Sequence, residues 1–325
     1  MTRAFPHAID PFTIRPARPA DLAACAEIQH VALDGYLAPF GQQLVGWQPE
    51  AMIRLFEHLL ATDPARFVVA ERAAVPVGFA SAWVRGGLWF LAFLFVLPAE
   101  QGRGLGTRLL DELLPRPDER APDGEGLILA VATDSLQPIS NALYGHYGMV
   151  PRMPVFLMKG AVRSPDAFPP LPPDVAVTPF ASIDDATAQP PGMRLLADVT
   201  SALDREVLGF VRPADHRFLA ADRHGYLVTD EDGEPLGYGY VRDDGRIGPV
   251  AAMWPGLVPA IIGLLVRSTS PAGGSFSLLV PGAAGDAFVA CLAAGLRLTE
   301  APTLMAWDRP FADFSRYTPI NNAIP

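Results

Sequence analysis

The chain has 325 residues and only two cysteines, Cys25 and Cys291. They lie far apart, each inside an apolar helical pattern, and read as buried thiols rather than a disulfide framework, which suits a reducing compartment. The histidines and cysteines show no metal-ligand spacing, and no G-x-S-x-G nucleophile elbow occurs. A basic excess is missing as well. The formal net charge of -10 disfavours a nucleic-acid surface. The longest apolar run, Leu88 to Leu97, is far short of the roughly 20 residues a membrane helix needs. The start, Met1-Thr2-Arg3-Ala4-Phe5-Pro6-His7, lacks the apolar core of a signal peptide. A cytoplasmic protein with no metal and no nucleic-acid or membrane partner is therefore expected. The chain is 50% apolar and 18% charged, so it can bury large cores, and its length suits two domains.

What the chain does have is a glycine-rich corner. The apolar run ends at Pro98, and Gln101-Gly102-Arg103-Gly104-Leu105-Gly106 leads into Thr107-Arg108-Leu109-Leu110-Asp111-Glu112-Leu113-Leu114. This reads as a buried strand, a tight turn and the first turns of a helix. Glycines let the backbone bend and let a ligand approach it closely. The N–H groups of Gly102 to Thr107 would then converge at the positive end of the helix dipole, which is a phosphate cradle. Three glycines alone also fit an ordinary strand-to-helix turn. Two rival phosphate motifs fit poorly: Thr107-Arg108 does not supply the Lys-Ser/Thr of a P-loop, and a dinucleotide fingerprint would want glycine at Thr107 and a first strand before it.

The segment Gln101 to Gly106 resembles the Q/R-x-x-G-x-G/A signature of the GNAT acetyltransferase superfamily, and Val96-Leu97-Pro98 matches the V-x-P that precedes it there. Ile14-Arg15-Pro16-Ala17 with Pro19 and Asp21 is similar to the opening of many GNAT chains. Asn141-Ala142-Leu143-Tyr144-Gly145-His146-Tyr147-Gly148-Met149 resembles the family's A-x-x-L-Y-x-x-x-G-F/M helix. The resemblance implies that Gln101, Gly102, Arg103, Gly104, Leu105, Gly106 and Thr107 hold the pyrophosphate of acetyl-coenzyme A. It places the pantetheine along the backbone of Leu94, Phe95 and Val96, with the Val96 N–H facing the thioester carbonyl. Tyr144 takes the place of the residue that protonates the leaving thiolate, as a phenol near its normal pKa of about 10 can do. Tyr147 is the backup. Where family members often carry Asn, seven residues before the Tyr, this chain has Gln137, which can still reach a pantetheine amide. The apolar strand Trp89 to Phe95 carries no ionisable residue to act as base. Glu27, His30 and Asp34 on the first helix could approach the acceptor side, and the base stays unassigned.

The elements expected for the first half are a strand at Thr13 to Pro16, helices over Pro19 to Leu33 and Pro49 to Leu60, and three antiparallel strands within 67–96. The glycine corner and its helix follow, then a strand at Leu127 to Ala132, a helix at Pro138 to Tyr147 and a closing strand at Met153 to Lys159. That order is the order of a GNAT domain. The proline-rich stretch after Gly160 reads as a semi-rigid linker. The second half repeats the layout: a strand from Val175, a partly helical stretch Asp184 to Thr200, segments at 216–221, 226–229 and 236–241, and the strand Arg246 to Ala252. An apolar helix Leu257 to Val266, a strand Ser275 to Val280, a helix Asp286 to Ala294 and a last strand Leu304 to Trp307 complete it. Here Trp254-Pro255-Gly256-Leu257-Val258-Pro259 stands where the glycine signature would be, and Pro255 and Pro259 remove two donors.

The expected fold is α+β: two tandem GNAT-like domains, each a mixed, mostly antiparallel bent sheet flanked by helices. The expected boundaries are 1–160 for the domain with the acetyl-CoA site, 161–174 for the linker and 175–325 for a degenerate copy. The expected activity is acetyl transfer from acetyl-CoA, used as cosubstrate without a metal, to an amine acceptor on a small molecule or peptide, by a monomer or homodimer. The rival expectation is a ligand-sensing or scaffold protein with vestigial coenzyme binding, motivated by the strand without an acid.

Overall fold

A computed structural model describes residues 12–41, 44, 47–183 and 196–325. The chain forms two compact units. One comprises the residues up to Val84 together with Leu91–Arg116, and the other Arg85–Phe90 together with Pro117–Pro325.

The first unit begins with β1 (Phe12–Pro16) and a short 3-10 turn, Pro19–Asp21, that starts α1 (Leu22–Leu37). Asp21 fixes this start: it accepts from the Arg18 N–H at 2.7 Å and from both Arg15 terminal nitrogens at 2.7 and 2.8 Å. Next come α2 (Pro49–Thr62), β2 (Phe67–Arg72), β3 (Val75–Arg85) and β4 (Leu88–Val96). The strands lie in the order β1-β2-β3-β4, with β1–β2 and β2–β3 antiparallel. The residues Phe67 to Ala70 are all buried, which is why β2 reads as a continuous apolar run rather than an alternating one. Phe56 of α2 meets Phe93, Phe79 and Phe67 edge-on at 5.0, 5.3 and 5.8 Å. α3 (Leu105–Leu113) buries a stripe of Leu105, Leu109, Leu110 and Leu113 at helical spacing and lies against β2.

In the second unit β5 (Ile128–Asp134), α4 (Pro138–His146) and β6 (Val150–Gly160) follow. The proline-rich stretch beyond is packed down: Phe168 is buried against α8 (Leu257–Ser268), and the Arg163 N–H donates to the Ala294 carbonyl at 2.8 Å. β7 (Ala176–Pro179) and the short α5 (Phe180–Ile183) come next. Most of the stretch 184–200 expected to be partly helical lies outside the described residues; α6 (Leu196–Leu208) opens after it. The segment around His216 is a helix, α7 (Pro213–Ala220). β8 (His224–Thr229), β9 (Pro235–Val241) and β10 (Ile247–Ala252) lead to α8. β11 (Phe276–Pro281), α9 (Gly285–Ala294), β12 (Arg297–Leu298), β13 (Thr303–Trp307) and β14 (Tyr317–Thr318) finish the chain. One sheet runs β14-β10-β9-β8-β7. α8 seats closely on it, since a Cβ at Gly239 would stand 2.8 Å from both Ile261 and Leu265.

β6 does not pair with β5. β13, from the far end of the chain, lies between them, antiparallel to both: Met305 stands opposite Ala132 on one side and Met153 on the other. β11 covers the outer edge of β6. Deleting everything from Thr303 onward would leave β5 and β6 with unpaired edges along the whole length of β13. Such a fragment is expected to lose the cooperative thermal transition of the second unit, as followed by circular dichroism.

Candidate active site

β4 ends at Val96, and the chain turns through Pro98–Glu100 into the glycine loop. Two contacts fix that turn. The Gln101 side-chain amide donates to the Val96 carbonyl at 2.8 Å. Glu100, buried, takes Arg72 at 2.7 Å and Arg103 at 3.1 Å. Gly102 and Gly104 then adopt φ of 73° and 76°, a left-handed backbone that favours glycine. A Cβ at either position would meet nothing within 4 Å, so there is open space beside both glycines.

Gly104 is the N-cap of α3 and no side chain caps this helix. The Gln101 N–H reaches the Pro98 carbonyl and the Arg108 N–H the Gly104 carbonyl. Among the described residues, no carbonyl accepts from the N–H groups of Gly102 to Thr107 that lie between. A helix start with free donors carries a partial positive charge, and Arg72 and Arg103, which share the one carboxylate of Glu100, leave a net positive charge beside it. The residues present therefore fit a diphosphate. Leu94 and Phe95 are half-buried and Val96 is buried, and Phe95 stacks on Phe79 at 5.8 Å, which fixes the strand that precedes the loop.

The corresponding corner of the second half is built the other way. The Leu257 N–H donates to the Trp254 carbonyl at 3.2 Å and the Val258 N–H to the Pro255 carbonyl at 3.1 Å. Pro259 has no N–H. The donors at the start of α8 are spent on their own turn, so this helix offers no cradle.

Tyr144 belongs to the second unit. It sits in the last turns of α4, 6% exposed, with the Tyr147 and Met149 N–H groups on its carbonyl. Burial pushes its phenol up to about 12, against the opposing effect of a hydrogen bond with Ser140. The expectation of a near-normal phenol is corrected: Tyr144 is protonated at neutral pH but is a weaker acid than a free tyrosine. Gln137 stands at the start of the same helix. Its side-chain oxygen accepts the Ile139 N–H at 3.3 Å and caps α4, so that oxygen is engaged. His146 is exposed, as its place on the helix suggests.

Of the residues that could approach an acceptor, Glu27 is exposed, whereas His30 and Asp34 come together, Nε2 to Oδ2 at 3.5 Å. The clamp of Glu100 with Arg72 is a feature the sequence does not reveal. Glu100 borders the signature, which is its only sequence signal, and its partner is 28 residues away.

Comparison with known proteins places this geometry. Residues 30–149 match the family described as the acetyltransferase (GNAT) family. Over that segment the chain is similar to a GNAT domain, and over its whole length it shares an α+β fold with the solved structures that follow. A candidate acetyltransferase from Pyrococcus horikoshii superposes over 100% of this chain and 99% of its own, with 17% identity and a TM-score of 0.70. A GCN5-related N-acetyltransferase from Sphaerobacter thermophilus covers 94% of this chain and 99% of its own, at 18% identity and a TM-score of 0.60. One from Kribbella flavida covers 91% and 70%, at 15% identity and a TM-score of 0.54. At these identities the likeness is one of fold. No curated protein sequence matches the chain. Among the described residues no group of side chains could hold a metal, and no helix is long and apolar enough to cross a membrane.

Proposed function

We propose that this protein is an acetyl-CoA-dependent N-acetyltransferase that acts by direct attack of an amine on the thioester. The observation that carries the reading is the start of α3: a helix of nine residues with no side-chain cap, entered through two left-handed glycines with open space at their Cβ positions. Acetyl-CoA supplies the activated acetyl group. Gly102 to Thr107 would bind its diphosphate through main-chain N–H groups, with Arg103 neutralising charge. The backbone of Leu94 to Val96 would align the pantetheine. The working division of the chain is 1–160 for the catalytic domain, 161–174 for the connection and 175–325 for a copy that does not bind the coenzyme.

Tyr144 is assigned to the leaving thiolate by its place in the L-Y motif. A thiol ionises at about 8.5, well below a phenol that burial has pushed up, so complete transfer of the Tyr144 proton to the thiolate is uphill. Tyr144 therefore stabilises the developing thiolate as a hydrogen-bond donor, and solvent completes the protonation. Removing such a donor costs about 100-fold in kcat. Tyr144→Phe is expected to show that loss with the affinity for acetyl-CoA unchanged within about threefold. Steady-state kinetics with a panel of amines, aminoglycosides and peptides, and calorimetry with acetyl-CoA, measure the two quantities. An unaltered turnover would favour the ligand-sensing alternative.

A further inference from the structure

The acid-free strand β4 leaves the reaction without a base, and α1 carries a histidine paired with a carboxylate. His30 Nε2 stands 3.5 Å from Asp34 Oδ2, one helical turn on. The other oxygen of Asp34 accepts the Leu44 N–H at 3.4 Å. Trp47 then stacks on the imidazole, ring centroids 4.4 Å apart and planes at 23°. The ring is thus held on one edge by a carboxylate and on one face by an indole. Its remaining nitrogen, Nδ1, is buried and has no hydrogen-bond partner.

Two neighbours share that condition. Gln29, beside His30 on α1, is 6% exposed and its Oε1 is unpartnered, and the Trp47 Nε1 is buried and unpartnered too. Buried polar atoms without partners are rare in folded proteins, because each costs about 1–3 kcal/mol. Two of them, His30 Nδ1 and Trp47 Nε1, belong to stacked rings, so an acceptor nitrogen and a donor N–H are left without partners side by side. The same helix packs beside the entry to the glycine loop: a Cβ on Gly35 would lie 3.2 Å from Pro98.

We propose that His30 is the general base for the amine acceptor, with Asp34 and Trp47 as positioning residues and Gln29 as a further acceptor-binding group. The inference rests on the acetyltransfer reading above and adds the acceptor class: a primary amine, bound as its ammonium, whose body carries further hydrogen-bonding groups. His30 Nδ1 takes one proton from the ammonium. The freed nitrogen lone pair forms the C–N bond to the thioester carbon, and the C–S bond breaks with its electron pair on sulfur. The nitrogen gives its second proton to solvent, solvent protonates the sulfur, and His30 returns its proton to solvent. The products are amide, thiol and one released proton, which balances the ammonium and the thioester.

The test uses the full chain. His30→Ala is expected to lower kcat at least 100-fold, with the dissociation constant for acetyl-CoA and the thermal midpoint close to native. Added imidazole is expected to restore at least tenfold of that loss, a rescue that a packing role for His30 would not show. Asp34→Asn is expected to lower kcat about tenfold. Turnover of His30→Ala within threefold of native, or a loss that imidazole does not rescue, overturns the proposal. Should the native protein fail to bind acetyl-CoA, the acetyltransfer reading falls, and the acceptor site is judged separately. Nitrogen-15 spectra of histidine-labelled protein, titrated with spermidine, would then show a saturable shift of the signal that His30→Ala removes, and a static signal overturns the site as well.

Discussion

Replacing Gly104 by valine is expected to weaken acetyl-CoA binding by about 100-fold, equivalent to about 2.7 kcal/mol. Two effects add. Gly104 has φ of 76°, where a β-branched residue is strained by about 1–3 kcal/mol, so the loop shifts to relieve it. The new side chain also occupies space beside the loop that is open in the native protein. The native fold should survive, because Leu105, Leu109, Leu110 and Leu113 still bury the inner face of α3. Calorimetry with acetyl-CoA and a thermal melt separate the two outcomes. Binding lost with the melt shifted by only a few degrees is the expected result. Unchanged affinity would mean that the loop does not contact the coenzyme.

The largest expected change in stability lies far from that loop. Asp204 on α6 is fully buried. It accepts from Tyr238 on Oδ1 at 2.5 Å and from Arg212 on Oδ2 at 3.1 Å, while His216 Nε2 lies 2.8 Å from Oδ2. Arg212 also donates to the Tyr238 hydroxyl and to the Pro325 carbonyl, both at 2.8 Å, and sits over the ring of Tyr317. This network ties α6, α7, β9 and the last residues of the chain together. Asp204→Ala strands a buried guanidinium and is expected to cost about 3–5 kcal/mol, read from chemical denaturation. Arg212→Met strands the carboxylate instead and should cost a similar amount, whereas Asp204→Asn keeps the shape and costs less.

The same network sets an acid limit. Burial on its own would raise the Asp204 pKa, but Arg212, His216 and Tyr238 outweigh it and hold the carboxyl below the ordinary range. A carboxyl whose folded value is depressed contributes stability fully above its unfolded value of about 3.9, and that contribution fades as pH falls through the folded value. The native protein is therefore expected to lose stability below about pH 4. Asp204→Asn should show a shallower acid limb. An identical limb in the variant would assign acid unfolding to other carboxylates.

Local structure was largely legible in the sequence because local chemistry dictates it. The strand ending at Val96, the glycine corner and the leucine stripe of α3 are short-range patterns, and all three stand where the residues put them. The start of α1 was visible in Pro19 and Asp21 for the same reason. The place of β13 was not legible. Nothing in Thr303 to Trp307 specifies pairing with β5 and β6 rather than with the strands of its own half, since an apolar strand suits any sheet with an open register. The buried set around Asp204 was hidden too: its members come from 204, 212, 216, 238 and the chain's last residue, and only folding brings them together. The raised pKa of Tyr144 depends on how completely α4 is covered, which a motif does not encode. His30 and Asp34 stand at helical spacing in the sequence, but the stacking of Trp47 and the orphaned Nδ1 exist only in the folded chain.

Main-chain nitrogens from Gly102 to Thr107 are proposed to hold the diphosphate of acetyl-CoA. Nitrogen-15 amide spectra of the native protein during a titration with acetyl-CoA test this most directly. Saturable shifts concentrated on those six residues, with α8 residues Leu257 and Val258 unmoved, are predicted. Saturation with those six signals static, or shifts centred on the start of α8, would contradict it.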